Sequence, residues 1–201
     1  MRLFIAIQPD EKILSSLKSF QQRAISFSPA PRPHEAIPLS KEGVLLHQKS
    51  PWRPANDMHV TLQFLGNDVT LHQSSEIKKA LADACAQIHP FDMDCTGAGA
   101  FPNSKNARIL YAGISSPSLM QCAKIVNEKL SSTGFKPDKP FSAHVTLART
   151  KFIQNAELFV NEYNSIKWHD EKWHVDSISL IESVTELGGY EYKTLETYRL
   201  R

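Results

Sequence analysis

His59-Val60-Thr61-Leu62 decides the reading of this chain, because the same tetrapeptide returns unchanged as His144-Val145-Thr146-Leu147, 85 residues further on. Each copy lies in a short apolar run, Met58 to Leu65 and Phe141 to Leu147. Runs of that length, rich in β-branched and aromatic residues, read as strands. Side chains alternate between the two faces of a strand. Met58, Val60, Leu62 and Phe64 are therefore expected on a core face, with His59, Thr61 and Gln63 on the other. In the second copy Phe141, Ala143, Val145 and Leu147 take the core face, and Ser142, His144 and Thr146 the other. Two such strands meeting about a pseudo-twofold bring two imidazoles and two hydroxyls into one cleft.

That set of groups has a definite chemistry. Histidine titrates near neutrality, with an unperturbed pKa of roughly 6.5, so one ring can act as general base and the other as general acid. Two threonine hydroxyls can donate to the non-bridging oxygens of a reacting group between them. The fitting substrate is a compact phosphorus anion attacked in line, such as a phosphodiester, and no metal or cofactor is required. One His-x-Thr in a strand is more often coincidence than site, and a repeat can also be the trace of a duplication that has lost its function. Neither explains why the polar pair falls on the non-core face twice.

Outward from the repeat, 201 residues suffice for one domain or two closely packed lobes with ample core. A net charge of +2 indicates no extended nucleic-acid footprint, though a local basic cleft remains compatible with it. Cys85, Cys95 and Cys122 are odd in number and lack Cys-x-x-Cys spacing, so they read as buried free thiols of a reducing compartment. With no signal peptide and no long apolar stretch, the expectation is a cytoplasmic protein without a membrane partner. Nothing suggests an assembly surface, so a monomer is expected.

The remaining elements follow in order. Arg2 to Ile7 is a strand. Asp10 caps a helix with Ile13, Leu14, Leu17, Phe20 and Ala24 on its apolar stripe. Ser28 to Pro54 holds half of the 12 prolines together with Arg32, Lys41, Lys49 and Arg53, and reads as a long irregular insertion with one short strand at Gly43 to His47. A turn at Gly66-Asn67-Asp68 precedes a helix capped by Ser74 or Ser75. Phe91 to Cys95 is a strand. The following Gly97-Ala98-Gly99-Ala100-Phe101-Pro102 is a loop that allows close backbone approach without matching any phosphate-binding fingerprint. Phe101 there is either a base-stacking ring or a core residue. Arg108 to Ile114 is a strand, Pro117 to Leu130 a helix, and residues 155–163 a short helix. Trp173 to Ser183 and Tyr190 to Leu200 are closing strands about Gly188-Gly189, while Trp168 and Trp173 are packing residues. Arg149 could bind the phosphate or the leaving group, but strict alternation puts it on the core face, so it needs a bulge or the strand's end to reach the cleft. His34, His47, His72, His89, His169 and His174 show no ligand spacing.

With these residues in place the chain resembles the 2H phosphoesterases, and within them the bacterial and archaeal RNA 2′,3′-cyclic phosphodiesterases, historically called 2′-5′ RNA ligases. The resemblance runs over nearly the whole chain: Met1 to Ile7, His59 to Gly66, Ala100-Phe101-Pro102, Arg108 to Gly113, His144 to Arg149, Ile181-Glu182-Ser183 and Gly189-Tyr190. It implies an α+β bilobal fold, with two antiparallel sheets lining a central cleft, helices outside and a pseudo-twofold duplication. It implies metal-independent opening of a 2′,3′-cyclic phosphate, on RNA ends or small cyclic nucleotides, to a 2′-phosphate. His59 would be the acid and His144 the base. Thr61, Thr146 and Arg149 would hold the phosphate, and Phe101 would stack on a base. The Ser28–Pro54 segment is longer than the family pattern, which leaves substrate size open. The same residues serve the reverse 2′-5′ ligation. Another 2H activity, on 2′,5′-linked or cyclic ADP-ribose substrates, and a non-catalytic nucleotide-binding module are the alternatives.

Overall fold

In the computed structural model, residues 1–27, 57–149, 155–165, 172–186 and 189–201 are described. The Ser28–Pro54 insertion with its short strand, and His34, His47, Trp168, His169 and Gly188, lie outside them. The elements are β1 Leu3–Ile7, α1 Glu11–Phe27, β2 Val60–Gly66, α2 Leu71–Cys85, β3 Phe91–Phe101, β4 Ile109–Ser115, α3 Pro117–Ser131, β5 His144–Arg149, α4 Ala156–Ser165, β6 Trp173–Val175, β7 Ser177–Glu186 and β8 Gly189–Arg199. The fold is α+β. Among the described residues eight strands run antiparallel throughout, in the order β6-β3-β4-β5-β2-β1-β7-β8. Four strands lie on either side of the β5–β2 junction, and a single residue pair, Val60 with Val145, joins the two sets.

β1 is buried along its whole length, on both faces, as its run Leu-Phe-Ile-Ala-Ile requires. Leu3, Ile5 and Ile7 join the main core, while Phe4 and Ala6 pack on the opposite face with Ile181 and Tyr192. The main core is where the helices lie. α1 begins with the Asp10 carboxylate accepting from the Ile13 N–H at 2.8 Å and buries Ile13, Leu17 and Phe20. Phe20 meets Phe159 and Tyr163 of α4. α2 packs on α3. The helices thus cover one face of the sheet, and the face turned away from them carries the alternate residues of β2 and β5.

Several expectations are corrected. The cap of α2 is Thr70, whose hydroxyl accepts from the Gln73 N–H while the Gln73 side chain accepts from the Thr70 N–H. Ser74 is buried inside that helix. This reciprocal capping box outcompetes a lone serine one turn later. β3 does not stop at Cys95 but runs through Gly97-Ala98-Gly99-Ala100 to Phe101, paired with β4 along the way. Its glycines do make close approaches, to side chains of the protein itself. A Cβ on Gly99 would lie 2.2 Å from the Tyr111 ring, and one on Gly97, at φ +108°, 2.4 Å from Asn164 Oδ1. β5 starts at His144 rather than Phe141. The closing segment is broken at Asp176, so that β6 pairs with β3 at one edge and β7 with β1 near the other. Cys85 and Cys122 are buried free thiols, but Cys95 is half-buried. Burial raises the thiol pKa of Cys85 to about 11 and of Cys122 to about 12, which keeps both protonated and poor nucleophiles. No helix among the described residues is long and apolar enough to cross a membrane.

Candidate active site

The two copies of the tetrapeptide meet at the centre of the sheet. Val60 is the direct antiparallel partner of Val145. One step to either side, position 59 faces position 146 and position 61 faces position 144. Directly opposed residues of an antiparallel pair project to the same side. Each imidazole is thereby set beside the threonine of the other copy, with both valines turned into the core at 0 % exposure. His59, Thr61, His144 and Thr146 are all half-buried.

Both rings are held in the same way. His59 Nδ1 lies 2.7 Å from the Asp57 carbonyl, and His144 Nδ1 lies 2.7 Å from the Ser142 carbonyl. A carbonyl only accepts, so each Nδ1 carries the hydrogen. Nε2 is then the nitrogen that can bear a lone pair or a second proton. Each ring also sits among aromatics. His59 has Phe4 at 4.9 Å and Tyr192 at 5.4 Å between centroids, the latter edge-on. His144 has Phe101 at 5.2 Å and Tyr111 at 5.3 Å, both edge-on, and those two rings stack on each other at 4.5 Å. Burial lowers the pKa of His144. The Ser142 carbonyl opposes that shift, and the positive charge of Arg149 adds to it. At neutral pH this ring is neutral.

The alternation of each strand is interrupted at the same residue of the tetrapeptide. Across β1 and β2, Ala6 pairs with Thr61 and Ile5 with Gln63, so Leu62 is an extra residue. Across β4 and β5, Tyr111 pairs with Thr146 and Leu110 with Ala148, so Leu147 is extra. A bulge of this kind shifts every later side chain to the opposite face. Hence Gln63, expected beside the histidines, is buried at 4 %, its amide donating to the Phe135 carbonyl at 3.2 Å. Hence also Phe64, expected in the core, is 40 % exposed on the histidine face. In the second strand the bulge brings Arg149 to that face, where it is exposed and close enough to His144 to act on its charge.

All six residues singled out from the sequence therefore come to one face. His59, Thr61, His144 and Thr146 sit at the seam, Arg149 lies along β5, and Phe101 ends β3 against Tyr111 rather than standing in a loop. The ring partners Phe4, Tyr111 and Tyr192 were missed. Tyr111 had a signal, as an aromatic in a predicted strand beside a glycine-rich one, but Tyr192 had none, because its nearness to His59 depends on a long-range strand order. Gln21 was also missed. It is a buried helix residue that donates to the Leu147 carbonyl at 2.8 Å, the one at the bulge. Of the other described histidines, His174 contacts Asp92 at 2.8 Å and His89 the Arg201 carbonyl at 3.1 Å. Among the described residues no three His, Cys, Asp or Glu side chains cluster closely enough to hold a metal ion.

Known proteins resemble this chain in sequence and in fold. The profile of the 2′-5′ RNA ligase superfamily matches residues 26–186. The RNA 2′,3′-cyclic phosphodiesterase of Archaeoglobus fulgidus is 30% identical over 98% of this chain and 99% of its own. That of Methanocaldococcus jannaschii is 26% identical over 98% of this chain and 100% of its own. Among solved structures, TT0787 of Thermus thermophilus superimposes with a TM-score of 0.72 at 22% identity, covering 100% of this chain and 98% of that one. E. coli LigT complexed with 3′-AMP superimposes with a TM-score of 0.71 at 20% identity, covering 99% and 97%.

Proposed function

Since the chain belongs to the 2′-5′ RNA ligase superfamily, we propose that it is a phosphodiesterase that hydrolyses terminal 2′,3′-cyclic phosphates of RNA, or of small cyclic nucleotides, to 2′-phosphates. The observation that carries this is the Val60–Val145 pairing, which sets each imidazole beside the other copy's threonine. We read the two halves as products of an internal duplication.

In this mechanism the cyclic phosphate lies over the seam. Thr61 and Thr146 donate to its non-bridging oxygens, and Arg149 supplies positive charge for the phosphorane that forms. His144, neutral, takes a proton on Nε2 from water. The water oxygen bonds to phosphorus in line with the departing 3′ oxygen, the P–O3′ bond breaks, and His59 gives its Nε2 proton to that oxygen. The product is a 2′-phosphate with a free 3′-hydroxyl. Proton exchange with solvent resets both rings. The lowered pKa of His144 fits the base. The terminal base stacks on Phe101, which its own stack on Tyr111 holds flat. Every proton transfer and charge in this scheme is handled by a side chain, so no metal is needed. Ligation would use the same residues with a 5′-hydroxyl in place of water: its oxygen bonds to phosphorus, the P–O3′ bond breaks, and a 2′-5′ diester forms.

Incubation of a 2′,3′-cyclic nucleotide with the protein and EDTA, followed by chromatography against 2′- and 3′-phosphate standards, tests this. A 2′-phosphate is expected. A 3′-phosphate would reverse the roles of the leaving oxygens, and loss of turnover in chelator would exclude the metal-free scheme. The rate should also be bell-shaped in pH. His144 must be unprotonated, so the acid limb follows its folded pKa and lies below the ordinary histidine value of roughly 6.5. The alkaline limb follows from the need for a protonated acid to meet the departing oxygen. An acid limb at or above pH 7 in kcat/KM would argue against His144 as base.

A further inference from the structure

Phe64 occupies, in the first copy of the repeat, the position that Arg149 occupies in the second, since the same 85-residue offset relates them. Both follow the bulged leucine by two residues, both are exposed, and both stand on the histidine face. The first half has an aromatic ring where the second has a guanidinium. It nevertheless has a guanidinium: Arg2 lies over the Phe64 ring, 4.9 Å from Cζ to the ring centroid. Asn67 holds it there, its Oδ1 accepting from Arg2 Nη1 at 2.8 Å. A phenyl ring 40 % exposed on a strand, beside an anchored cation, is what a polyanion with flat bases would find complementary.

The strand register says which part of such a ligand it could be. Ile109 pairs with both Phe101 and Arg149, so these two lie at one end of the site. Because β2 and β5 are antiparallel about Val60 and Val145, Phe64 lies at the opposite end. On the order of 20 Å of strand separates it from Arg149, at about 3.3 Å per residue. A nucleoside whose base is on Phe101 cannot also touch Phe64.

We propose that Phe64 and Arg2 form a second nucleotide subsite, where Phe64 stacks a base of the RNA strand other than the one bearing the cyclic phosphate and Arg2 meets a backbone phosphate. This rests on the phosphodiesterase reading and deepens it: the preferred substrate is an oligonucleotide, and a cyclic mononucleotide leaves the subsite empty. Base stacking on an aromatic contributes a factor of roughly 5 to 100.

The test compares kcat/KM for a 2′,3′-cyclic mononucleotide and for a short RNA with a 2′,3′-cyclic end. Wild type is expected to prefer the RNA, and Phe64→Ala to lose that preference by roughly 5- to 100-fold with the mononucleotide rate unchanged. Phe64→Tyr restores it, which separates stacking from a folding defect. Arg2→Gln should flatten the dependence of the logarithm of RNA kcat/KM on log salt by about 0.7. Equal loss on both substrates, or no loss on either, overturns the subsite while leaving the phosphodiesterase intact. If wild type turns over neither substrate, the enzymatic reading fails and fluorescence anisotropy with the same RNA decides the subsite. Weaker binding by Phe64→Ala supports it, and unchanged binding overturns it.

Discussion

His144→Ala is expected to lower kcat by roughly 10²- to 10⁴-fold, and His59→Ala by a similar factor, with the cooperative thermal transition retained. The size follows from what the proposed mechanism asks of each ring. Without His144, water must attack with its proton still in place. Without His59, the 3′ oxygen must leave as an alkoxide. Neither ring belongs to the main hydrophobic core, and both are half-buried. Stopped turnover in a folded protein is therefore the signature to look for. The double variant should be little worse than either single one, because the two proton transfers serve one transition state and their losses do not add. Single-turnover rates, with circular dichroism on the same samples, check this. A His144→Ala protein within threefold of wild type would remove the ring from the chemistry.

Trp173→Ala should do the reverse. Trp173 heads the largest fully buried side chains, at 1 % exposure, and stands opposite Met93 where β6 pairs with β3. Removing a buried indole costs about 3–5 kcal/mol. For a chain of this size that lowers Tm by roughly 6–20 °C. β6 is a three-residue edge strand and lies three strands from the β5–β2 junction. At low temperature the folded fraction should turn over substrate at the wild-type rate. Differential scanning calorimetry together with active-site titration separates the two quantities. A drop in kcat per folded molecule would mean that the edge of the sheet reaches the chemistry.

The sequence made the repeat legible, and with it the strand character of both motifs and the face of the four seam residues. These depend on short-range alternation, which a chain displays directly. What it concealed had three separate causes. A β-bulge adds a residue without leaving a mark in composition, so Phe64 and Gln63 were assigned to the wrong faces, while Arg149 could only be said to need either a bulge or the strand's end. Similarly, β3 hides its second half behind glycines that usually announce a loop. Here they are small because the Tyr111 ring and Asn164 occupy the space a side chain would need. The strand order that brings Tyr192 to His59 joins residues far apart in the chain, which no local pattern encodes.

The carbonyl under each ring has a consequence for how such a pair tolerates change. Asp57 and Ser142 each lie two residues before the histidine they hold. Which nitrogen points outward is thus decided within three consecutive residues, on each strand by itself. The distance between the rings is decided elsewhere, by the meeting of strands that no turn connects. Aim is inherited locally and separation is imposed by the fold, so the two can vary independently. Substitutions in the distant packing can retune the gap for a bulkier or smaller group, and both Nε2 atoms still face it.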